Sequence, residues 1–391
     1  MELELWYLII VPLLFGAGWF LRGFDAKQRQ QEAKDLPDNY FRGLTLLLSN
    51  EPDKAIDAFI EVVKVDPETV ELHHALGNLF CRRGEFERAI RIHTHLISRA
   101  DLGEEDRLRA LSELALDYLK AGIYDKAIEC YEKLSESHEY HLEALRALLK
   151  IRCTEHDWPE AIESAKKLER EASENHAADI AHFHCELAEN AAKRKDVVGA
   201  LREVDAALAV QPRAPRALIL KGDLLSKAGD AKGAIAAWNE IRHHAPEHYP
   251  LVVERLVKAY EAAGERGEAE AVLAEAMEAF PSAKVVDLAM NCELAWKGKD
   301  EATKIVSEAM AGRPSLGILS IAMELRKRLN PEDTQLQGLA DMLKKESDKQ
   351  GRFQCKKCGF LSHSYLWQCP GCGEWDTYPT LTVQDRAAIR K

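Results

Sequence analysis

Residues 76–93, L-G-N-L-F-C-R-R-G-E-F-E-R-A-I-R-I-H, carry the pattern that decides the fold. Leu76-Gly77 and Phe80 sit at helical spacing, Gly84 interrupts the helix, and Ala89 opens a second apolar stripe five residues later. Small residues let two helices approach closely, large apolar side chains fill the space toward the next pair, and glycine ends the first helix. Working outward, a small residue recurs at the equivalent place on each second helix: Ala55, Ala89, Ala127, Ala161, Ala200, Ala234, Ala269 and Ala302.

The successive steps are 34, 38, 34, 39, 34, 35 and 33 residues, clustered on the 34-residue period of helix-turn-helix tetratricopeptide repeats. Other offsets of that pattern recur as Leu114-Ala115, Tyr118, Gly122 and Tyr131 in the third unit. The sixth has Gly222, Gly229, Trp238 and Pro246, and the seventh Tyr260, Gly264 and Pro281. Gly43, Phe59 and Pro67 mark the first unit, while the fourth, fifth and eighth match weakly. No unit buries its apolar face alone, so the expectation is an all-α superhelical solenoid over residues 36–346, about eight to nine repeats. Residues 315–347 read as a degenerate ninth pair that caps it. The concave face of such a stack suits an extended peptide or a partner helix. First-helix positions expected to face it are Asn78, Arg82, Lys120, Lys193, Asp223 and Lys227.

The N-terminal stretch differs in kind. Residues 5–21, from Leu5 to Leu21 (L-W-Y-L-I-I-V-P-L-L-F-G-A-G-W-F-L), carry no charge. At 1.5 Å per residue they span about 25 Å, enough for a short transmembrane helix. Glu2 and Glu4 stand where a secretory signal has basic residues, which argues against cleavage. Arg22, Lys27, Arg29 and Lys34 all follow the span, so the positive-inside rule puts the rest of the chain in the cytoplasm. The expected organisation is therefore an anchor at 1–22, a juxtamembrane linker at 23–35 and the solenoid beyond.

Nine cysteines divide into two groups. Cys81, Cys130, Cys153, Cys185 and Cys292 lie singly in helical sequence and read as small buried apolar residues of a reducing compartment. Cys355, Cys358, Cys369 and Cys372 form C-x2-C, ten residues, C-x2-C. Two such turns make a tetrahedral four-thiolate site, with Gly359 and Gly373 permitting the tight backbone after each pair. Four protein ligands leave no place for water, so the site reads as structural, holding one zinc or iron ion within a metal ribbon over residues 352–379, followed by a tail at 380–391.

The 391-residue chain carries 53 Lys plus Arg against 65 Asp plus Glu, a formal net charge of −12, which disfavours attraction to nucleic acid phosphates. No P-loop, H-E-x-x-H or G-x-S-x-G sequence occurs, so no enzymatic site is visible. The pairs His73-His74, His93 with His95, His182 with His184 and His243-His244 are too close along a helix to share a face, and read as core or surface histidines.

An uncharged N-terminal span, a tetratricopeptide solenoid and terminal C-K-K-C-G with C-P-G-C-G, in that order, resemble the lipopolysaccharide assembly protein B family of Gram-negative bacteria. The segments N-Y-F-R-G-L-T-L-L-L-S-N, G-N-L-F-C-R-R-G-E-F-E-R-A-I-R-I-H and I-A-H-F-H-C-E-L-A carry the resemblance most specifically. It implies a single-pass inner-membrane adaptor without catalytic activity. Such an adaptor brings the lipid A pathway deacetylase to a membrane-anchored AAA+ protease, limiting lipopolysaccharide synthesis. It also implies other lipopolysaccharide assembly proteins as partners, and a homodimer is compatible with it. The knuckles also resemble the zinc finger of the bacterial DNA-repair protein RadA. Residues 351–391 hold six basic and three acidic residues, and four thiolates with one divalent ion add about −2, leaving little positive field. A rubredoxin-type electron carrier is the third reading, and it requires a redox-active iron.

Overall fold

A computed structural model describes residues 42, 43, 45, 46, 49, 51–65 and 70–389. The expected membrane span at 5–21 and the linker at 23–35 lie outside them. Among the described residues no helix is long and apolar enough to cross a membrane.

The chain forms two compact units, residues 1–157 and 158–391. In the first, the described helices are α1 (Pro52–Val65), α2 (Val70–Arg82), α3 (Phe86–Ser98), α4 (Glu104–Lys120), α5 (Tyr124–Leu134) and α6 (His141–Glu155). The second holds α7 (Trp158–Ala172), α8 (Ala177–Lys193), α9 (Val197–Val210), α10 (Pro215–Lys227) and α11 (Ala231–His244), then a 3-10 segment (Pro246–Leu251). It continues with α12 (Val253–Ala262), α13 (Arg266–Ala279), α14 (Ala283–Trp296), α15 (Lys299–Gly312), α16 (Leu316–Leu329) and α17 (Thr334–Gln350). A two-stranded ribbon, β1 (Phe353–Gln354) and β2 (Leu361–Ser362), and a terminal helix α18 (Val383–Ile389) complete it.

All eight ruler alanines are fully buried on the second helix of their pairs, at 0 % exposure. Close approach is what they secure. An added Cβ on Gly77 would lie 2.2 Å from the His93 ring, and one on Gly222 2.2 Å from the Trp238 indole. The turn between the two helices of a unit needs a left-handed residue. Gly84, Gly122, Gly229, Gly264 and Gly298 fill it with φ between 75° and 93°. In the two intervening turns the same conformation is held by His156 (φ 58°) and Lys195 (φ 65°). The fourth and fifth units match the sequence pattern weakly partly for that reason: the backbone geometry is kept while its usual residue is replaced.

Side-chain caps begin several second-unit helices, with Asp196 accepting from the Gly199 amide, Asp230 from Gly233 and Asp333 from Leu336. α16 and α17 follow as a further helical pair, in which Ala340 of α17 is buried.

Candidate metal centre

β1 and β2 pair antiparallel in a short register, Phe353 opposite Ser362 and Gln354 opposite Leu361, and an isolated bridge joins Gln368 to Trp375. Each cysteine pair follows the same local design. The Cys355 amide donates to the Phe360 carbonyl at 2.9 Å, and the Cys369 amide to the Glu374 carbonyl at 2.9 Å. Each turn then closes through a glycine amide, Gly359 to Cys355 (3.1 Å) and Gly373 to Cys369 (2.8 Å), with φ of 79° and 73°. These are the two glycines the spacing singles out, and the left-handed backbone is what they supply.

The four Sγ atoms converge within 4.8 Å of one another. Cys355 and Cys372 stand 3.8 Å apart and Cys358 and Cys369 3.5 Å. Metal–sulfur bonds of about 2.3 Å in a tetrahedron require sulfur–sulfur edges near 3.8 Å, so the donor set fits one zinc or iron ion. Burial favours the neutral thiol of Cys355, but the Thr377 side chain and the amides of Cys358 and Lys357 outweigh it and bring the thiol down to about 6. Those amides lie 3.5 and 3.4 Å from the sulfur, and donors of this kind stabilise a metal-bound thiolate. Cys355 and Cys369 are buried, Cys372 is half-buried and Cys358 faces solvent. Tyr378 closes the inner side, its hydroxyl 3.6 Å from the Cys369 sulfur.

The ribbon does not stand free. Trp375 stacks on the His182 imidazole of α8, with ring centres 4.5 Å apart and planes 10° apart. It meets Trp158 and Phe183 edge-on at 6.2 and 6.3 Å, and the Arg216 guanidinium lies 5.4 Å from its ring. Arg216 is only 5 % exposed and is held by Glu186 at 2.6 Å and Glu189 at 2.7 Å. Beside the stack, His182 Nε2 bonds Asp376 Oδ2 at 2.8 Å. A second indole, Trp367, stacks on His248 of the 3-10 segment at 5.5 Å and packs into the hydrophobic core built by α10 to α14.

Beyond the ribbon the chain returns to the solenoid. Thr380 donates to the Glu247 carbonyl at 2.6 Å, and Asp385 accepts from the Ala283 amide at the start of α14 at 3.0 Å. The two indoles dock on elements that precede them by more than 100 residues, because the histidines at 182 and 248 and the tryptophan at 158 supply the aromatic surface there. The sequence reads His182 only as a core or surface histidine, and it does not single out His248. The I-A-H-F-H-C-E-L-A segment does stand out, and its first histidine is the docking residue.

The expected groove residues separate by environment. Asn78 donates to Glu113 at 2.8 Å and Asp223 forms a two-pronged pair with Arg255 at 2.7 and 3.1 Å, both bonds between neighbouring units. Arg82, Lys120, Lys193 and Lys227 are exposed.

Comparison with known proteins agrees with this architecture. A family model described as a rubredoxin metal binding domain matches residues 353–378, and tetratricopeptide repeat models match 72–108, 112–177 and 185–247. Lipopolysaccharide assembly protein B of Escherichia coli K12 is 31 % identical over 98 % of this chain and 99 % of that protein. The protein of the same name from Haemophilus influenzae is 27 % identical, again over 98 % of this chain and 99 % of that one. Among solved structures, Naa15/Naa10 bound to HypK-THB covers 87 % of this chain and 66 % of that chain at 13 % identity, with a TM-score of 0.46. Full-length similarity, the repeat solenoid and the four-cysteine ribbon together place the chain in the lipopolysaccharide assembly protein B family.

Proposed function

We propose that this protein is a non-enzymatic adaptor of the inner membrane that limits lipopolysaccharide synthesis by delivering the lipid A pathway deacetylase to a membrane-anchored AAA+ protease. The observation that carries this reading is the end-to-end similarity to lipopolysaccharide assembly protein B, over 98 % of the chain. A repeat solenoid offers recognition without chemistry. An anchor at residues 5–21 would confine it to the surface where a membrane-bound protease works, raising the effective concentration of each partner for the other. In this reading the solenoid and ribbon face the cytoplasm, and the exposed Arg82, Lys120, Lys193 and Lys227, with Asn78 and Asp223 beside them, belong to the recognition face.

The ribbon's role is structural. Cys355, Cys358, Cys369 and Cys372 would hold one metal ion, whose binding energy supplies most of the ribbon's folding, on the order of 10 kcal/mol for thiolate-rich zinc sites. The surface so fixed spans ribbon and solenoid together. Nucleic acid is not a partner in this account, and a homodimer is compatible with it.

The test is capture from membranes. The anchored full-length chain, crosslinked in cells and purified in detergent, should retain both deacetylase and protease. A form carrying Arg82→Glu, Lys120→Glu, Lys193→Glu and Lys227→Glu should lose at least one of them. Retention of neither by the native protein would defeat the adaptor reading.

A further inference from the structure

In the first unit, three successive helices direct nitrogen and oxygen ligands at one point. His74 of α2 and His93 of α3 are both completely buried, at 0 % exposure. Glu113 of α4 meets them: its Oε2 contacts His74 Nδ1 and lies 3.1 Å from His93 Nε2. Among the described residues this is the second place, besides the four cysteines, where such atoms from three or more residues gather within 4.8 Å.

The surroundings arrange these groups as ligands. His93 Nδ1 is 2.6 Å from Oδ2 of Asp117, itself 1 % exposed. An imidazole that donates its Nδ1 proton to a carboxylate carries its lone pair on Nε2, and this carboxylate–histidine arrangement is what orients histidine ligands in metal sites. Nε2 of His93 then points at Glu113. Asn78 donates to the other Glu113 oxygen at 2.8 Å and fixes the carboxylate. Room for the His93 ring exists only because residue 77 is glycine. The converging atoms are thus His74 Nδ1, His93 Nε2 and Glu113 Oε2, and both rings are shut off from solvent.

Charge favours the same occupant. Two carboxylates, Glu113 and Asp117, face two imidazoles in a largely buried site, with the Arg109 guanidinium 3.7 Å from Glu113 at its outer edge. A divalent cation with two neutral imidazoles balances both carboxylates. Two imidazoles and a carboxylate suit zinc and the neighbouring late transition metals rather than calcium or magnesium.

We propose that His74, His93 and Glu113 form a second metal site for a zinc-class divalent cation, with Asp117 positioning His93, independent of the cysteine ribbon. Three protein ligands leave one coordination position, open to water or to a donor from a partner. The bound ion pins α2, α3 and α4 together across a repeat boundary.

The experiment uses the full-length chain in detergent with zinc and cobalt(II) as probes. After complete metal removal, cobalt should fill two distinguishable sites: one with intense thiolate-to-metal charge transfer, the other with ligand-field bands and none of that absorption. Elemental analysis of the zinc-saturated chain should give one equivalent beyond the ribbon's. His74→Leu and Glu113→Gln should each lose the thiolate-free site and keep the other, while Cys355→Ser should do the reverse. Asp117→Asn should retain the site with affinity lowered about 10- to 100-fold, as for outer partners of histidine ligands. Helical circular dichroism confirms that each variant is folded. A folded wild-type chain that takes up only the ribbon's equivalent, or a second equivalent that survives both His74→Leu and Glu113→Gln, overturns the proposal and leaves the cluster an internal ion-pair network.

Discussion

Replacing Trp375 with alanine should detach the ribbon from the solenoid without unfolding either. The side chain is half-buried, so the full cost of about 3 to 5 kcal/mol for emptying a core tryptophan site is an upper bound. The contacts themselves give a working figure. A close stack on His182 is worth about 1 kcal/mol, the two edge contacts with Trp158 and Phe183 about 0.5 kcal/mol each, and the Arg216 guanidinium about 0.5 to 1 kcal/mol. The docked state should therefore lose about 2.5 to 3 kcal/mol, or about 70- to 150-fold in its equilibrium with the detached state. Because a detached ribbon opens more readily, metal transfer to a chromogenic chelator should accelerate by a comparable factor. Trp375→Phe, which keeps a ring on His182, should fall between. Release within twofold of the native rate in a folded Trp375→Ala protein would refute the idea that this indole holds the ribbon in place.

Other consequences are independent of docking. Gly77→Ala places a methyl carbon 2.2 Å from His93 and should cost about 1 to 3 kcal/mol in urea unfolding of the first unit. The same change at Gly338, exposed within α17 with nothing inside 4 Å, should stabilise by about 0.5 to 1 kcal/mol, and equal signs for the two would contradict the packing argument. Cys355→Ser should release the ribbon's metal and abolish protection of its amides in hydrogen exchange while the solenoid stays helical. Burial among ribbon and solenoid holds His248 below the usual histidine range, against the pull of Glu247 and Asp376 and with Lys356 assisting. Neutral His248 thus contributes docking stability that is complete above the unfolded value near 6.5 and is lost as pH falls through the lower folded value. Metal release should quicken across that acidic window, and His248→Phe should remove that component while leaving any acid release from the thiolates themselves.

Sequence disclosed the scaffold because a repeat writes its geometry many times over. A single alanine is uninformative, but eight at a near-constant step predicted eight buried helix crossings, and each is fully buried. The metal ribbon was equally legible, since its chemistry is local: ligand spacing and two glycines lie within 19 residues. Degenerate units obscured the pattern where His156 and Lys195 occupy turn positions that elsewhere belong to glycine, a substitution the backbone tolerates and a motif does not. What stayed hidden is what depends on distant pairs. Nothing near Trp375 announces His182, nor does Trp367 announce His248; each pair is more than 100 residues apart in sequence and meets only in the folded second unit. Beside their sequence neighbours, His74 and His93 carry no signal, since helix geometry rules out a shared face there. Their actual relation runs across helices, 19 residues apart, with Glu113 another 20 beyond. A search at the helix-to-helix spacing of the repeat would have found them.

In the proposed adaptor role, this chain controls how long the lipid A pathway deacetylase survives. The direct measurement is the half-life of that enzyme after synthesis is stopped, in cells holding the intact protein, no protein, or the Trp375→Ala form at equal abundance. The account predicts a short half-life with the intact protein, a prolonged one in its absence, and a prolonged one with the detached ribbon. An unchanged half-life across all three would contradict it.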